Sequence, residues 1–288
     1  MFDRMKWTEI IPIIEAREQP KFPILFCYEQ FFRSKQTPQQ ITYDKLMKEN
    51  FENTLEREDA SFFEDTVGQC GPDALAYYRS LHRSQHDWGI YIIDAGVDFV
   101  AKKIRELATK DNISLSRLDA EYLAKHKLLL HELGHHATEI VHSVLETDSN
   151  NPRLNSYRKY IAGKNSAKNP SASKSLHDNE EAVCNWNVKK KKRHFKIRAQ
   201  NYYSIARNFM LNYQPDGYKH FEKIAPRNYL KNIMMPDPRL PQKTKSRLKK
   251  QFTVHSRLNM VKPFTKKKEE KAFQVPIYLI RTGKQLKK

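Results

Sequence analysis

The sequence predicts an α+β fold that is rich in helices, with a small sheet and a basic C-terminal extension. Apolar residues recur at three- and four-residue steps from Ser116 to Leu145, which is typical of a long amphipathic helix. The run from Trp88 to Ile93 is rich in β-branched and aromatic residues, which is typical of a strand. Lys and Arg are concentrated in the last third of the 288 residues, which sets that part apart from the rest.

These patterns divide the chain into an N-terminal segment (1–66), a central domain (67–214) and a basic C-terminal region (215–288). In the N-terminal segment a helix is expected near 39–58. In the central domain Pro72 suits the first position of a helix from Asp73 to Leu81, because the N–H that proline lacks has no partner there in a helix.

The strand from Trp88 to Ile93 is followed by a predicted helix from about Gly96. Its apolar residues have helical spacing: Val97, Val100, Ile104 and Leu107. Ser116 and Asp119 resemble an N-cap and an acidic third position, so the long helix is predicted to begin there. The segment Thr147 to Asn179 is rich in Ser, Asn, Lys and Pro, and we expect a loop or flap.

A second long helix is predicted from Glu180 to about Tyr213, ended by Pro215-Asp216-Gly217. Phe252 to Leu258 and Val275 to Ile280 are candidate strands. Pro276 favours a sheet-edge position for the latter, because proline cannot donate to a strand ladder.

The long helix carries the motif His131-Glu132-Leu133-Gly134-His135, the pattern H-E-x-x-H. Two histidines one helical turn apart project from one face and can bind one zinc ion. Glu132 would then lie beside the open metal position and could take a proton from zinc-bound water. The alternative is a hydrogen-bonded pair of core histidines. The apolar run Leu128 to Leu130 implies burial, and buried polar groups without a partner are costly.

Glu180-Glu181-Ala182-Val183-Cys184-Asn185 offers the third ligand that a zinc site needs. Glu181 and Asn185 lie four residues apart and share a helix face, so Glu181 could bind the metal while Asn185 hydrogen-bonds a ligating histidine. Glu180 is the alternative ligand. A further alternative is a Glu-Glu pair that merely opens a helix, where carboxylates favour the positive end of the dipole.

H-E-x-x-H followed by E-x-x-x-N resembles the gluzincin metallopeptidases, and the run E-E-A-V-C-N is most similar to the ImmA/IrrE-like intracellular peptidases. The resemblance implies a zincin-like domain that hydrolyses a protein or peptide substrate, with regulator cleavage as the associated activity. It implies that His131, His135 and Glu181 hold Zn²⁺ and that Glu132 is the general base. The chain departs from the family pattern at Cys184, where alanine is usual, and in its longer, polar segment between the motifs.

Other polar residues near the motif have open roles. His142 lies too far along the helix axis to join the same ion. His136 points about 100 degrees away from His135, so a structural or substrate-side role is expected. Glu139 is either a carboxylate that supports a ligand or an exposed helix charge. Cys184 is a weak competitor for the metal or a small packing residue.

The resemblance to zincins also raises two questions about substrate. Zincin folds place an edge strand near the active-site helix, and Trp88-Gly89-Ile90-Tyr91 is the candidate, with an ordinary buried strand as the alternative. An oxyanion donor is required as well. Four residues could serve, and nothing in the sequence selects among them: His177, His194, Tyr202 and Tyr203.

The net charge of +19 is very uneven. Residues 187–288 contain 28 Lys and Arg against 5 Asp and Glu, whereas residues 1–186 are slightly acidic. Such asymmetry is typical of proteins with a polyanion partner, most often a nucleic acid. Solubility or targeting would also explain it. The basic clusters are Lys189 to Arg193 with Lys196 and Arg198, Lys243 to Lys250, Lys262 to Lys271, and Lys284 to Lys288.

Composition narrows the class of protein further. No run of 18 apolar residues occurs, and Met1 to Arg17 lacks the apolar core of a signal peptide, so we expect no membrane span. The three cysteines, Cys27, Cys70 and Cys184, form no C-x-x-C pair, which favours a reducing cytoplasm.

The expectation is an intracellular zinc peptidase. The alternatives are a nucleic-acid-binding protein with a structural zinc site and a toxin or regulator that uses a zincin scaffold to bind a partner. The oligomeric state has no sequence signal.

Overall fold

The computed structural model describes residues 38–51, 75–80, 88–148, 179–188, 202–214, 216–222, 242–243, 246 and 275–282. They form the predicted mixed α+β fold, rich in helices with a four-stranded sheet. In chain order the main elements are β1 (Gln39–Ile41), α1 (Tyr43–Lys48), β2 (Ala76–Arg79), β3 (Gly89–Ile93), α2 (Asp94–Lys110), α3 (Arg117–Asp148), α4 (residues 179–188), α5 (Tyr203–Asn212), α6 (Asp216–Lys219), a 3₁₀ turn (His220–Glu222) and β4 (Ile277–Ile280).

The sheet has the strand order β1-β4-β3-β2. Strand β4 comes from the far C-terminal end of the chain and pairs parallel to β3 and antiparallel to β1. Strand β2 pairs antiparallel to β3, with Tyr77 opposite Tyr91. The sheet therefore takes strands from all three predicted segments of the chain.

Two predicted strands are confirmed at the expected residues, but their predicted position at the edge of the sheet is wrong. Both β3 and β4 form where expected, but each lies inside the sheet, so neither is an edge strand. Pro276 precedes β4, so its missing N–H falls outside the strand. Its carbonyl still accepts from the backbone N–H of Ile90 at 2.9 Å. Among the described strands, the edge next to β3 is formed by β2.

Of two helix predictions in the first eighty residues, the first is confirmed only in part and the second is wrong. Within 39–58, the chain forms β1 and then the short α1, because Thr42 has extended backbone and caps the helix through Lys45 N–H to Thr42 Oγ1 at 3.2 Å. Within Asp73 to Leu81, residues 76–79 form β2. Cross-strand packing decides this: the Tyr77 ring stacks on the Tyr91 ring at 4.7 Å, and such pairs override local propensity.

The two central helices are confirmed. Helix α2 follows β3 directly and packs along α3. Helix α3 begins as predicted, with Ser116 as its cap: Asp119 N–H donates to Ser116 Oγ at 3.1 Å, and that hydroxyl donates to the Asp119 carboxylate at 2.6 Å. Helix α3 is the longest of the described elements and carries the H-E-x-x-H motif at its buried centre.

The predicted single helix from Glu180 to Tyr213 is wrong, because a separate helix, α5, begins at Tyr203 with Tyr202 as its N-cap. It ends at Asn212, close to the predicted stop. Of the predicted loop Thr147 to Asn179, residues 149–178 lie outside the described residues, as does the candidate strand Phe252 to Leu258.

The core lies between the sheet and the helices α2, α3 and α5. Its largest fully buried side chains include Phe51, Phe99, Phe209 and Phe221. Among the described helices, none combines the length and the apolarity that a bilayer crossing requires.

Candidate metal centre

Three side chains from two helices converge at the centre of the core. His131 and His135 of α3 face Glu181 of α4, and all three are buried. The Glu181 Oε2 atom lies 3.0 Å from His131 Nε2 and 3.3 Å from His135 Nε2. The two Nε2 atoms lie 3.3 Å apart. The sequence prediction thus named three residues that the fold brings together.

The triangle of donor atoms has the dimensions of a zinc site. Zinc binds imidazole nitrogen and carboxylate oxygen at about 2.0–2.1 Å in tetrahedral geometry, which places ligand atoms about 3.3–3.4 Å apart. The separations of 3.0, 3.3 and 3.3 Å therefore fit one face of such a tetrahedron. Within the described part of the chain, this is the cluster of His, Cys, Asp and Glu side chains that could hold a metal ion.

The other ring nitrogen of each histidine meets an oxygen. His131 Nδ1 lies 3.0 Å from Asn185 Oδ1, which confirms the predicted hydrogen bond between Asn185 and a motif histidine, and His135 Nδ1 lies 2.7 Å from Glu180 Oε1. Because these oxygens accept, each Nδ1 donates a hydrogen to its partner, and in the neutral ring each Nε2 presents its lone pair to the triangle. Glu180 is therefore placed to orient a histidine, and Glu181 is the residue with an oxygen in the triangle.

Asn185 is itself held by residues that sequence reasoning missed. Its Nδ2 lies 2.7 Å from the side-chain amide of Gln214 and donates to the Tyr218 carbonyl at 3.0 Å. The Tyr218 ring also stacks on the His131 ring, with centroids 6.2 Å apart and planes 12° apart. No motif signals these contacts, because they depend on how the chain after α5 folds back over α4.

The two helices that carry the donor triangle meet at Gly134 and Cys184. A Cβ added to Gly134 would lie 2.8 Å from the Cys184 sulfur and 2.9 Å from its Cα. Cys184 is fully buried, and burial raises the pKa of its thiol to about 12. A protonated thiol is a poor metal ligand. Of the two roles expected for Cys184, the packing role agrees with this geometry.

The histidines have opposite shifts in pKa. Burial lowers the pKa of His131 to about 4, and the nearby charges of His135 and Lys127 add to this against the opposing effect of Glu181. Burial also works to lower the pKa of His135, but the interactions of that ring with Cys184, Glu181 and Glu180 outweigh it and raise the pKa well above its usual value. The two rings therefore differ in protonation near pH 7, with His131 neutral and His135 protonated.

Glu132 follows His131 on α3 and is fully buried. It shares a helix face with His136, four residues later. A carboxylate at this position lies next to the donor triangle in the chain without belonging to it.

His136 and Glu139 bond to β2. Tyr78 Oη lies 2.9 Å from His136 Nδ1 and donates to Glu139 Oε2 at 2.7 Å. Glu139 is buried, so its interpretation as an exposed helix charge is wrong. His142 is also buried and lies outside the donor cluster, as predicted.

Of the four candidate oxyanion donors, the structure describes the side chain of Tyr202. His177, His194 and the side chain of Tyr203 lie outside the described residues, and Tyr202 is half-buried at the N-cap of α5. Most of the basic clusters also lie outside the described residues.

The chain has no match among protein-family models, curated proteins or solved structures.

Proposed function

We propose that this protein is a zinc-dependent metallopeptidase that hydrolyses peptide bonds. The observation that carries the proposal is the convergence of His131 Nε2, His135 Nε2 and Glu181 Oε2 within 3.3 Å of one another, with Glu132 on the same helix as the two histidines. A three-ligand site of this kind leaves a fourth position for water or substrate, as catalytic zinc sites do.

The donor set favours a catalytic site over a structural one. Structural zinc sites are usually closed by four protein ligands, most often cysteines. Among the described residues the cluster has three members, and the one nearby cysteine, Cys184, is outside it. Two neutral imidazoles and one carboxylate suit a zinc ion that acts as a Lewis acid.

Each residue then has a defined task. His131, His135 and Glu181 would hold the ion, while Asn185 and Glu180 keep each Nε2 pointed at it. When bound, zinc would lower the pKa of water to about 7 and polarise the scissile carbonyl. The Glu132 carboxylate would accept the proton of the attacking water and deliver it to the leaving amine.

The substrate would be an extended peptide. Among the described strands, β2 lies at one end of the sheet, and it packs on α3, the helix that carries the motif. An exposed sheet edge binds extended peptides through main-chain hydrogen bonds. This supports β2, rather than the Trp88 strand expected from the sequence, as the strand that pairs with substrate.

The test separates chemistry from metal binding. Glu132→Gln should keep the zinc content of the wild type and lose cleavage of fluorescein-labelled casein by roughly 10²-fold or more, because general-base catalysis contributes about that much. If casein is cleaved equally by both proteins, Glu132 is not the base. If the variant loses zinc, the experiment points to a structural role for Glu132.

A second candidate concerns the partner that brings the substrate. The excess of 28 Lys and Arg over 5 Asp and Glu in residues 187–288 favours contact with a nucleic acid, so the substrate would be a protein bound to DNA or RNA. Binding of a labelled 30-base-pair DNA duplex, measured at rising salt, tests this, with the matching RNA as comparison. A steep loss of affinity with salt is expected. Absence of binding at low salt would leave the alternative of a regulator with a protein partner.

A further inference from the structure

Tyr78 joins the edge strand of the sheet to the metal-binding helix. Its hydroxyl has one hydrogen, which goes to the Glu139 carboxylate at 2.7 Å, since a carboxylate can only accept. The contact with His136 Nδ1 at 2.9 Å must then be a donation from the imidazole to the phenol oxygen. The Tyr78 hydroxyl thus accepts a hydrogen bond from one residue of α3 and donates one to another. These two bonds fix the position of β2 along the helix axis.

The direction of the β2 backbone follows from its pairing with β3. Ile93 N–H donates to the Leu75 carbonyl, so these two residues form a hydrogen-bonded pair. In an antiparallel ladder such pairs alternate, so Tyr77 and Arg79 also turn their backbone groups towards β3. The backbone N–H and C=O of Ala76 and Tyr78 therefore point to the outer side of β2.

The side chain of Tyr78 points to the face of the sheet that meets α3, where His136 is clamped from two sides. The Tyr78 ring meets the His136 ring edge-on at 5.3 Å, and Trp88 stacks on it at 6.1 Å with planes 30° apart. Glu132 lies one turn before His136 on the same face of α3. The contact made by Tyr78 therefore sets the outer edge of β2 relative to the helix face that carries the proposed base.

We propose that Tyr78 is a positioning residue, which uses its hydroxyl to His136 and Glu139 to hold β2 in register with α3 so that an extended peptide paired along β2 is presented to Glu132. The inference rests on the proposed peptidase function and deepens it. A substrate that pairs through its main chain binds more tightly when β2 is already ordered, because ordering β2 on binding would cost free energy. Loss of the hydroxyl should therefore weaken peptide binding more than it slows chemistry.

Tyr78→Phe tests this directly, because it removes the hydroxyl and keeps the ring. With fluorescein-labelled casein, zinc-loaded Tyr78→Phe should have a kcat/KM lowered by about tenfold, mostly through a higher KM, while zinc content stays unchanged. The matched control is Tyr278→Phe, a tyrosine of β4 whose ring stacks on Tyr91 on the opposite face of the sheet. Its kcat/KM should stay within about twofold of wild type.

Glu139 supplies a second route should Tyr78→Phe fold poorly. Glu139→Ala should reproduce the rise in KM, whereas Glu139→Gln keeps an oxygen that accepts from Tyr78 and should recover most of the lost affinity. A KM within twofold of wild type in both Tyr78→Phe and Glu139→Ala would overturn the proposal. A parallel loss of zinc and kcat would overturn it as well, because the contact would then only support the fold.

A binding measurement separates this proposal from the peptidase reaction. Fluorescence anisotropy of labelled casein with zinc-loaded Glu132→Gln needs no turnover, and adding Tyr78→Phe to that background should weaken binding about tenfold. Binding that depends on Tyr78 without any cleavage by wild type would reject the peptidase and keep the positioning role. If wild type cleaves casein but binding does not depend on Tyr78, the peptidase function is kept and the positioning role of Tyr78 is rejected. Failure of Glu132→Gln to bind casein at all would overturn the proposal.

Discussion

A Cβ atom on Gly134 would lie 2.8 Å from the sulfur and 2.9 Å from the Cα of Cys184. The two helices that carry the proposed zinc ligands therefore cross at backbone contact. Gly134 is one of the variable positions of H-E-x-x-H, yet the crossing requires a residue without a side chain there. The close approach explains how Glu181, three residues before Cys184, reaches histidines on either side of Gly134.

Gly134→Ala is expected to destabilise the protein. Glycine to alanine inside a helix normally stabilises by roughly 0.5–1 kcal/mol, but overpacking against a backbone atom costs about 1–3 kcal/mol. We expect a lower midpoint in urea denaturation and weaker zinc binding, because separating the helices widens the donor triangle. An unchanged or higher midpoint would mean that the helices do not meet at this distance.

Cys184→Ala is expected to retain zinc. Burial keeps the thiol protonated, with its pKa raised to about 12, and the sulfur lies outside the donor cluster. The substitution should lower the free energy of unfolding modestly, since it removes one small buried group. Zinc content measured by mass spectrometry should equal that of wild type. Loss of zinc would identify Cys184 as a ligand.

Glu180→Ala is expected to weaken zinc binding by about 10–100-fold, the usual cost of losing a hydrogen-bond partner of a ligating histidine. The reason is that Glu180 Oε1 accepts from His135 Nδ1 at 2.7 Å and so fixes the orientation of that ring. Competition with a chelating indicator measures the affinity. Asn179→Ala is the matched control, because Asn179 precedes Glu180 in α4 and is exposed. Equal affinities in both variants would exclude the orienting role.

Zinc binding near pH 7 is expected to release about one proton from the histidines. The pKa of His131 is lowered to about 4, so this ring is already neutral. The pKa of His135 is raised well above its usual value, so this ring is protonated and must lose its proton to ligate. Apparent affinity should therefore fall as pH falls, by about tenfold per unit while His135 alone titrates. Calorimetry in two buffers that differ in ionisation enthalpy gives the proton count, and a count of zero would contradict the assignment.

Local patterns predicted the helical parts of the site well. The H-E-x-x-H spacing and the apolar periodicity around it placed His131 and His135 on one buried face, and the Ser116 cap fixed where α3 begins. Four-residue spacing likewise put Glu181 and Asn185 on one face of α4. These features depend on contacts within a turn of helix, and sequence spacing is enough to specify them.

The features that were missed depend on contacts between distant segments. Tyr77 and Tyr78 belong to a strand because β3 lies beside them, although Pro72 suggested a helix. Pro276 lies next to an interior strand because it falls one residue outside the ladder. Tyr218 reaches Asn185 only when α6 folds over α4. Sequence spacing does not specify contacts between residues that are far apart in the chain, so these contacts became visible only in the folded structure.

The central claim, that His131, His135 and Glu181 together hold zinc, is tested most directly by zinc content after zinc loading, measured by mass spectrometry on four proteins. We predict about one zinc ion per chain in wild type and in Glu132→Gln, and little or none in His135→Ala and Glu181→Ala, provided that circular dichroism shows all four to be folded. Zinc retained in folded Glu181→Ala at the wild-type level would contradict the assignment.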